Sequence, residues 1–245
     1  MARSGEAQAA LPTAADILRA LSQQKNPAQA AILRRFFKTG PGEYGAGDEF
    51  LGLKVPQVRA VLAYFPEVSL AVAAELLASP LHEARFFAVI ALVRAYARGG
   101  VAARAKIFEF YLAQAARINN WDLVDASAPG IVGRHLPPGR GRRILGRLVQ
   151  APSLWARRIA MVATLEHIRR GDLANTFWLA ERLLADPEDL LHKAAGWMLR
   201  EAGKRDPAAL RGFLARQAIR MPRTMLRYAI ERLPAAERRR WLAAR

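Results

Sequence analysis

Cysteine is absent from the 245-residue chain, and only four histidines are present. The lack of cysteine excludes disulfide bonds and thiolate metal sites. The histidines are scattered and form no cluster with ligand spacing, so a structural zinc site is not expected. The sequence therefore predicts a protein that needs no metal and no cofactor.

Long apolar runs are also missing, although hydrophobic residues make up 52% of the chain. The stretches rich in Ala and Leu are interrupted by Arg or Glu every few positions, so none is long enough to cross a bilayer. Residues 1–15 hold one early arginine and no continuous apolar core, which is unlike a secretory signal. We therefore expect no membrane partner and a cytoplasmic location.

Acidic residues are scarce relative to basic ones: 21 Asp and Glu stand against 38 Lys and Arg, a formal net charge of +17. A field of this sign attracts polyanions through counterion release, and DNA or RNA is the commonest such partner of a cytoplasmic chain. An arginine-rich composition inherited from a GC-rich genome is the alternative explanation. Nucleic acid is favoured because the charges fall in register with a repeat.

That repeat is a ladder of five positions, four basic and one tryptophan: Arg85, Trp121, Arg157, Lys193 and Arg227. The differences between successive positions (121−85, 157−121, 193−157, 227−193) are 36, 36, 36 and 34 residues. Such a period is typical of stacked helix pairs, because one pair cannot bury its apolar face until the next pair lies on it. Equivalent side chains then recur along one concave surface, which the ladder predicts to be basic.

The pattern as a whole predicts an all-α fold, an α-solenoid of stacked antiparallel helix pairs (HEAT-like repeats) with a concave basic groove. No segment shows sustained alternation of β-branched residues, so strands are not expected. Helix starts are marked by the capping pattern Thr13-Ala-Ala-Asp16 and by Asn26-Pro27. Residues 39–48, with four glycines and a proline, interrupt the helices. Residues 13–245 are expected to form one domain and residues 1–12 a disordered tail.

One rung of the ladder departs from the others. Trp121 replaces the basic residue, and Asp125 follows four positions later, so both side chains project from one helix face. An acid beside an indole on a basic surface indicates a functional site, because the indole desolvates the acid while nearby cations keep it ionised. The structural alternative is that Trp121 packs between repeats and Asp125 caps a turn or pairs with an arginine. For this pair alone both interpretations remain open.

The next two rungs favour the functional interpretation. Arg158 follows the ladder residue Arg157 directly, and Trp197 lies four positions after Lys193. Arg200 and Lys204 continue the helix face that carries Lys193 and Trp197. If the repeats stack in parallel, the residues from three consecutive units surround one point on the groove wall: Trp121, Asp125, Arg158 and Trp197.

Three segments resemble the successive motifs of the AlkD family of HEAT-like repeat DNA glycosylases: Trp121-Asp-Leu-Val-Asp125, Trp155-Ala-Arg-Arg158 and Lys193-Ala-Ala-Gly-Trp197-Met-Leu-Arg200-Glu201. The segment Phe50-Leu-Gly-Leu-Lys-Val-Pro56-Gln-Val-Arg59 resembles the start of the family's N-terminal DNA-contacting helix. The resemblance covers nearly the whole chain beyond the first dozen residues, with motif order and intervals that both fit. It implies that Asp125 is the catalytic aspartate, that Trp121 and Trp197 flank the sugar of the lesion, and that Arg158 is the supporting arginine.

The resemblance implies a DNA glycosylase that releases N3- or N7-alkylated purines from duplex DNA. The repeat edge and the absence of a heptad seam predict a monomer, which we expect in the cytoplasm and, when bound to DNA, on the nucleoid. Arg158 is expected to grip a phosphate beside the lesion, and four further residues are candidates for backbone contacts: Lys54, Arg59, Lys193 and Arg200. Two departures, an apparent insertion at residues 40–48 and Val55 in place of a polar contact, concern lesion preference and opposite-strand contacts.

Two other functions remain open. Relatives of the family are known in which the active-site residues are lost, so a non-catalytic helical-repeat protein that binds structured DNA or RNA is the first alternative. A protein-interaction scaffold is the second, because helical repeats usually bind proteins.

Overall fold

The computed structural model describes residues 11–137 and 141–243. Most of the tail predicted for residues 1–12 lies outside these ranges. The described residues form fourteen α-helices and no strand, with one isolated bridge between Glu49 and Leu81. The helices are α1 (Ala14–Ser22), α2 (Pro27–Phe36), α3 (Val55–Ala63), α4 (Leu70–Ala78), α5 (His82–Arg98), α6 (Val101–Ala113), α7 (Trp121–Ala128), α8 (Arg142–Val149), α9 (Leu154–Arg169), α10 (Ala174–Arg182), α11 (Asp189–Arg205), α12 (Pro207–Gln217), α13 (Arg223–Ala229) and α14 (Ala235–Ala243). The all-α class predicted from the sequence is confirmed.

Both predicted helix starts are present. The Thr13 hydroxyl accepts a hydrogen bond from the Asp16 backbone N–H at 3.2 Å, and the Asp16 carboxylate accepts one from the Thr13 N–H at 3.1 Å. The Asn26 side chain accepts from the Gln29 N–H at 3.0 Å, with Pro27 in the first helical position. Each cap satisfies N–H groups that the first turn leaves without intrahelical partners.

The chain divides into two compact units, Met1–Ala95 and Tyr96–Arg245. In the first unit, a buried ionic cluster holds the end of the glycine-rich segment against α5. The carboxylate of Asp48 lies 3.0 Å from His82 Nδ1 and 2.5 Å from Arg85 Nη2. Burial opposes ionisation of Asp48, but the His82 hydrogen bond and the Arg85 cation outweigh it and lower the carboxyl pKa.

The second unit is built from two rows of helices. In one row α9 packs against α7 and α11, and α11 packs against α13. In the other row α8 packs against α9 and α10, while α10 also packs against α9 and α11. Each helix of the first row begins on or just before a ladder position, so the period of about 36 residues is the repeat of a helix pair, as predicted. The single domain over residues 13–245 and the concave basic groove stay predictions.

The ladder itself is not a row of exposed cations. Arg85 is 6% exposed and is held by Asp48. Arg157 is also paired with an acid, Asp186, its Nε lying 2.8 Å from Oδ2, and it donates hydrogen bonds to the carbonyls of residues 151 and 152. The prediction of a basic surface is therefore wrong at these two rungs, where each arginine is paired with a carboxylate instead of being presented to solvent.

Within the described parts of the chain, no helix combines the length and apolar character needed to cross a bilayer. The same residues contain no group of three or more His, Asp or Glu side chains arranged to hold a metal ion.

Candidate active site

The α7 helix carries two of the predicted site residues. It begins at Trp121, whose backbone N–H donates to the Asn120 side chain at 2.8 Å, and it ends where Pro129 starts a π-helical turn, Pro129–Gly133. Trp121 and Asp125 lie one turn apart, and both are half-buried. The indole and the carboxylate are therefore presented by the same face of α7, as the spacing predicted.

Asp125 is bound by Arg158 of α9 through two parallel hydrogen bonds. Nε of Arg158 donates to Oδ1 at 2.9 Å, and Nη2 donates to Oδ2 at 2.8 Å. The Arg158 side chain is 6% exposed, whereas the Asp125 side chain is 19% exposed. The acid is thus fixed in orientation from its buried side while part of it stays accessible to a ligand.

A third contact holds the arginine in turn. Nη1 of Arg158 donates to the carbonyl oxygen of Leu190, in the first turn of α11, at 2.6 Å. One guanidinium therefore joins α7, α9 and α11. The expectation that Arg158 grips a DNA phosphate does not match this position, because its donors are directed at Asp125 and Leu190 and the side chain is buried.

The electrostatics of Asp125 follow from this placement. Burial raises the pKa of the carboxyl above its ordinary value, since removal from water penalises the charged form, and the Arg158 cation opposes the shift. The negative charge of Asp122 also raises the pKa of Asp125, by a smaller amount. The site therefore holds a desolvated carboxylate whose charge is only partly compensated.

Beneath α7 a buried hydroxyl pair supports the helix. The Ser127 hydroxyl donates to the Leu123 carbonyl at 2.6 Å, so the Tyr111 hydroxyl, 2.7 Å away, donates to Ser127. Both side chains are fully buried, and burial raises the pKa of Tyr111. This support could not be predicted from the repeat, because neither residue falls on the ladder.

Trp197 lies on the α11 face that continues from Leu190, seven residues further along the helix. At 1.5 Å per residue this is a rise of about 10 Å. The indole lines an open pocket of about 460 Å³ together with three basic side chains, an acid and two apolar residues of α9 and α11: Arg169, Lys204, Arg205, Glu201, Leu165 and Ile168. The structure thus joins Asp125 to Arg158 and places Trp121 beside them, while the meeting of all four residues at one point stays a prediction.

The four candidate backbone contacts differ in their surroundings. In the first unit, Lys54 is exposed at the N-cap of α3 and Arg59 is exposed within that helix. Lys193 lies 2.9 Å from the Asp189 carboxylate, and Arg200 pairs with Glu231 and, at 3.5 Å, with Glu201. Glu231 could not be predicted as a partner because it faces Arg200 only once the helices are packed, whereas the pairing of Lys193 with Asp189 follows the local spacing of four residues on α11. Sequence reasoning also missed Arg169 and Arg205, which the structure places on the rim of the pocket lined by Trp197.

A family model of DNA alkylation repair enzymes matches residues 17–233 of this chain. The chain belongs to that family. The match spans α1 through α13 and includes Trp121, Asp125, Arg158 and Trp197. The family makes the protein a DNA alkylation repair enzyme and DNA its substrate.

A solved structure supports the same fold. It is that of a predicted DNA alkylation repair enzyme from Enterococcus faecalis, which matches with a TM-score of 0.65 and 18% sequence identity over 86% of this chain and 98% of that chain. At this identity the likeness shows the fold alone. No curated protein sequence matches the chain.

Proposed function

We propose that the protein is a DNA glycosylase that hydrolyses the N-glycosidic bond of N3- or N7-alkylated purines in duplex DNA. The observation that carries this proposal is the carboxylate of Asp125, desolvated, oriented by Arg158 and presented beside Trp121. Membership of the DNA alkylation repair family supports a role in repair, and the resemblance of the site motifs to those of AlkD proteins favours base excision as the reaction. Double-stranded DNA bearing alkylated purines is the proposed partner of a monomeric enzyme in the cytoplasm, where it associates with the nucleoid.

The chemistry requires little more than such a carboxylate. Alkylation at N3 or N7 makes the purine cationic, so the base leaves without protonation by a general acid. As the bond breaks, positive charge develops on the deoxyribose. A fixed negative charge in a poorly solvated site stabilises that cation more strongly than the neutral ground state.

Asp125 is the residue that meets this requirement. Its carboxylate is held by two hydrogen bonds from Arg158, so it does not have to reorganise when the sugar cation forms. The lone pairs that Arg158 leaves unused would orient or deprotonate the attacking water. Arg158 acts here as a positioning residue, because its own donors are directed at Asp125 and Leu190.

The two tryptophans would contribute through their π faces. Trp121 stands one turn before Asp125, and Trp197 lines the open pocket on α11. A π face against a sugar cation or a cationic purine is worth roughly 0.5–2 kcal/mol per contact. The rim residues Arg169, Lys204 and Arg205 join Lys54, Arg59, Lys193 and Arg200 as candidates for phosphate contacts that fix the strand.

Release of 7-methylguanine or 3-methyladenine from methylated duplex DNA tests the proposal. Asp125→Asn should lower the single-turnover rate by roughly 10²–10³-fold, the usual effect of removing one electrostatic group from a transition state. The matched control is Asp186→Asn, which removes the acid paired with the neighbouring Arg157 and should leave the rate of folded protein unchanged. No base release by the wild type above the Asp125→Asn background would refute the glycosylase.

A non-catalytic DNA- or RNA-binding protein is the second candidate. The observation that favours it is the likeness of the Asp125–Arg158 pair to the Arg157–Asp186 pair, which links a helix start to a loop. It predicts salt-sensitive binding that Asp125→Asn leaves intact or strengthens, with no base released from any substrate.

A further inference from the structure

A second cationic feature of the Tyr96–Arg245 unit lies on the helices of the other row. The guanidinium groups of two arginines lie near the indole ring of Trp178, on α10. Arg182 stands 4.0 Å and Arg142 stands 5.5 Å from the ring, both within cation–π range. The stack joins α8 to α10 at their surface.

Local contacts fix the stack. Arg182 also donates through Nη1 to the Trp178 carbonyl at 3.1 Å, so this guanidinium is held at two points. The indole edge lies against Gly146, where an added Cβ would come within 3.4 Å of Cη2 of Trp178. The ring is therefore seated close to the α8 backbone, and the two arginines beside it are exposed.

These arginines lack acidic partners. Arg142, Arg143, Arg147 and Arg182 are all exposed, and none makes an ion pair within the described residues. The α8 helix contains no acid at all, and the nearest acid in sequence, Glu181 on α10, accepts a hydrogen bond from the Gln217 side-chain amide at 3.2 Å. Elsewhere in this unit Arg157, Arg158 and Arg211 each face a carboxylate. Four uncompensated cations on two packed helices repel one another, which favours an anionic ligand.

The surface around the stack is unlike a protein-binding surface. No large hydrophobic side chain of α8 or α10 is among the exposed ones in the described residues. Stable protein interfaces need an apolar core, whereas DNA interfaces are polar and strongly positive. Along α8, Arg143 and Arg147 are four residues apart and share one helix face, with a rise of about 6 Å between them. A DNA strand places about two phosphates over that length.

We propose that the Arg142–Trp178–Arg182 stack, with Arg143 and Arg147, is a binding site for the phosphate backbone of duplex DNA. The site lies on α8 and α10, outside the Asp125–Arg158 pair that links α7, α9 and α11. It reads no sequence and no lesion, because guanidinium groups on phosphates carry no base information. Its contribution is affinity for undamaged duplex, which keeps the protein on DNA between lesions.

Fluorescence anisotropy with an undamaged duplex over a series of salt concentrations tests the site. Replacing Arg142 and Arg182 by Gln should reduce the slope of log K against log salt by about 2, since each phosphate contact contributes roughly 0.9. At about 0.1 M salt the affinity should fall at least roughly tenfold. Trp178→Leu keeps both charges and removes their support, so it should weaken binding by less than the double variant.

The matched control is Arg239→Gln, an exposed arginine on α14 without an ion pair. It removes one charge outside the stack and should change the affinity less than twofold by the same measure. A double variant that is folded by circular dichroism and binds duplex with the slope of the wild type would overturn the proposal. So would an unchanged duplex affinity combined with loss of binding to a polyglutamate peptide, which would assign the site to an acidic protein. Binding of undamaged DNA does not require base release, so failure here is separate from failure of the glycosylase assay.

Discussion

Arg158 and Asp125 meet through two parallel hydrogen bonds, Nε to Oδ1 at 2.9 Å and Nη2 to Oδ2 at 2.8 Å. The next residue towards the N-terminus, Arg157, meets Asp186 in a similar way, with Nε 2.8 Å from Oδ2 and Nη2 3.3 Å from Oδ1. Two neighbouring arginines of α9 thus bind two acids, one of which precedes α9 in the chain while the other follows it. One pair includes a partly accessible carboxylate, while the Asp186 side chain is 7% exposed.

The two pairs give the first prediction. Arg158→Lys keeps the charge but cannot span both carboxylate oxygens and the Leu190 carbonyl. We expect the single-turnover rate of base release to fall roughly 10–100-fold through misplacement of Asp125, with affinity for undamaged duplex nearly unchanged. Arg157→Lys should instead lower the free energy of unfolding by about 1–2 kcal/mol and leave the rate of the folded protein intact. Equal rates of base release for the two variants would show that Arg158 does not position Asp125 for the reaction.

The pH dependence of base release gives the second prediction. Asp125 must be ionised to stabilise a sugar cation, so the rate should fall as pH drops through the carboxyl pKa. That pKa lies above the ordinary 3.8 because burial raises it, which places the acid limb of the rate profile above pH 3.8. The linkage to folding has the opposite sign, since a raised pKa means that Asp125 favours the folded state less as pH rises.

Single-turnover rates across the acid range, corrected for spontaneous loss of the alkylated base, check this expectation. The residual rate of Asp125→Asn should show no limb. An acid limb that persists in this variant would assign the titration to another group.

Glu83 gives the third prediction. It is 2% exposed and accepts backbone N–H groups from Leu51, Gly52 and Leu53 at 3.0, 2.8 and 3.1 Å. Glu83→Gln replaces one acceptor oxygen by a donor, so we expect a loss of about 1.5–3 kcal/mol in the free energy of unfolding, measured in urea. Glu75→Gln, the same change at an exposed position of α4, should stay within about 0.5 kcal/mol.

Two helical glycines give the fourth prediction. A Cβ at Gly196 of α11 would come within 2.5 Å of the Met225 carbonyl oxygen, so Gly196→Ala should force α11 and α13 apart at a cost of about 1–3 kcal/mol. At Gly212 of α12 the nearest atom is the end of the Arg216 side chain at 3.6 Å. Gly212→Ala should therefore raise the melting temperature, because alanine stabilises a helix interior by about 0.5–1 kcal/mol. Shifts of the same sign would contradict the packing of α11 on α13.

Local sequence patterns predicted most of the helices. Thr13 and Asn26 cap their helices as expected because capping depends on residues three positions apart, and the repeat of about 36 residues marked the row of α7, α9, α11 and α13. The spacing of Trp121 and Asp125 likewise placed both on one face of α7. Such features depend on short-range geometry, which a sequence states directly.

Contacts between distant residues could not be predicted in the same way. Asp48 neutralises Arg85 from 37 positions earlier, and Asp186 neutralises Arg157 from 29 positions later, so the ladder looked like a basic surface although two of its cations are paired with carboxylates. The role of Arg158 was predicted as a phosphate contact for the same reason. Its true partners depend on how α7, α9 and α11 pack, which no local pattern encodes.

The adjacency of Arg157 and Arg158 ties the site to the register of α9. Consecutive residues on a helix point about 100° apart, so rotating α9 by one position would bring the wrong guanidinium to each acid. An insertion or deletion of one residue in the loop before Leu154 must therefore be absorbed within that loop. Engineering that shortens this connection to gain thermal stability will preserve activity only if it leaves the angular setting of α9 unchanged.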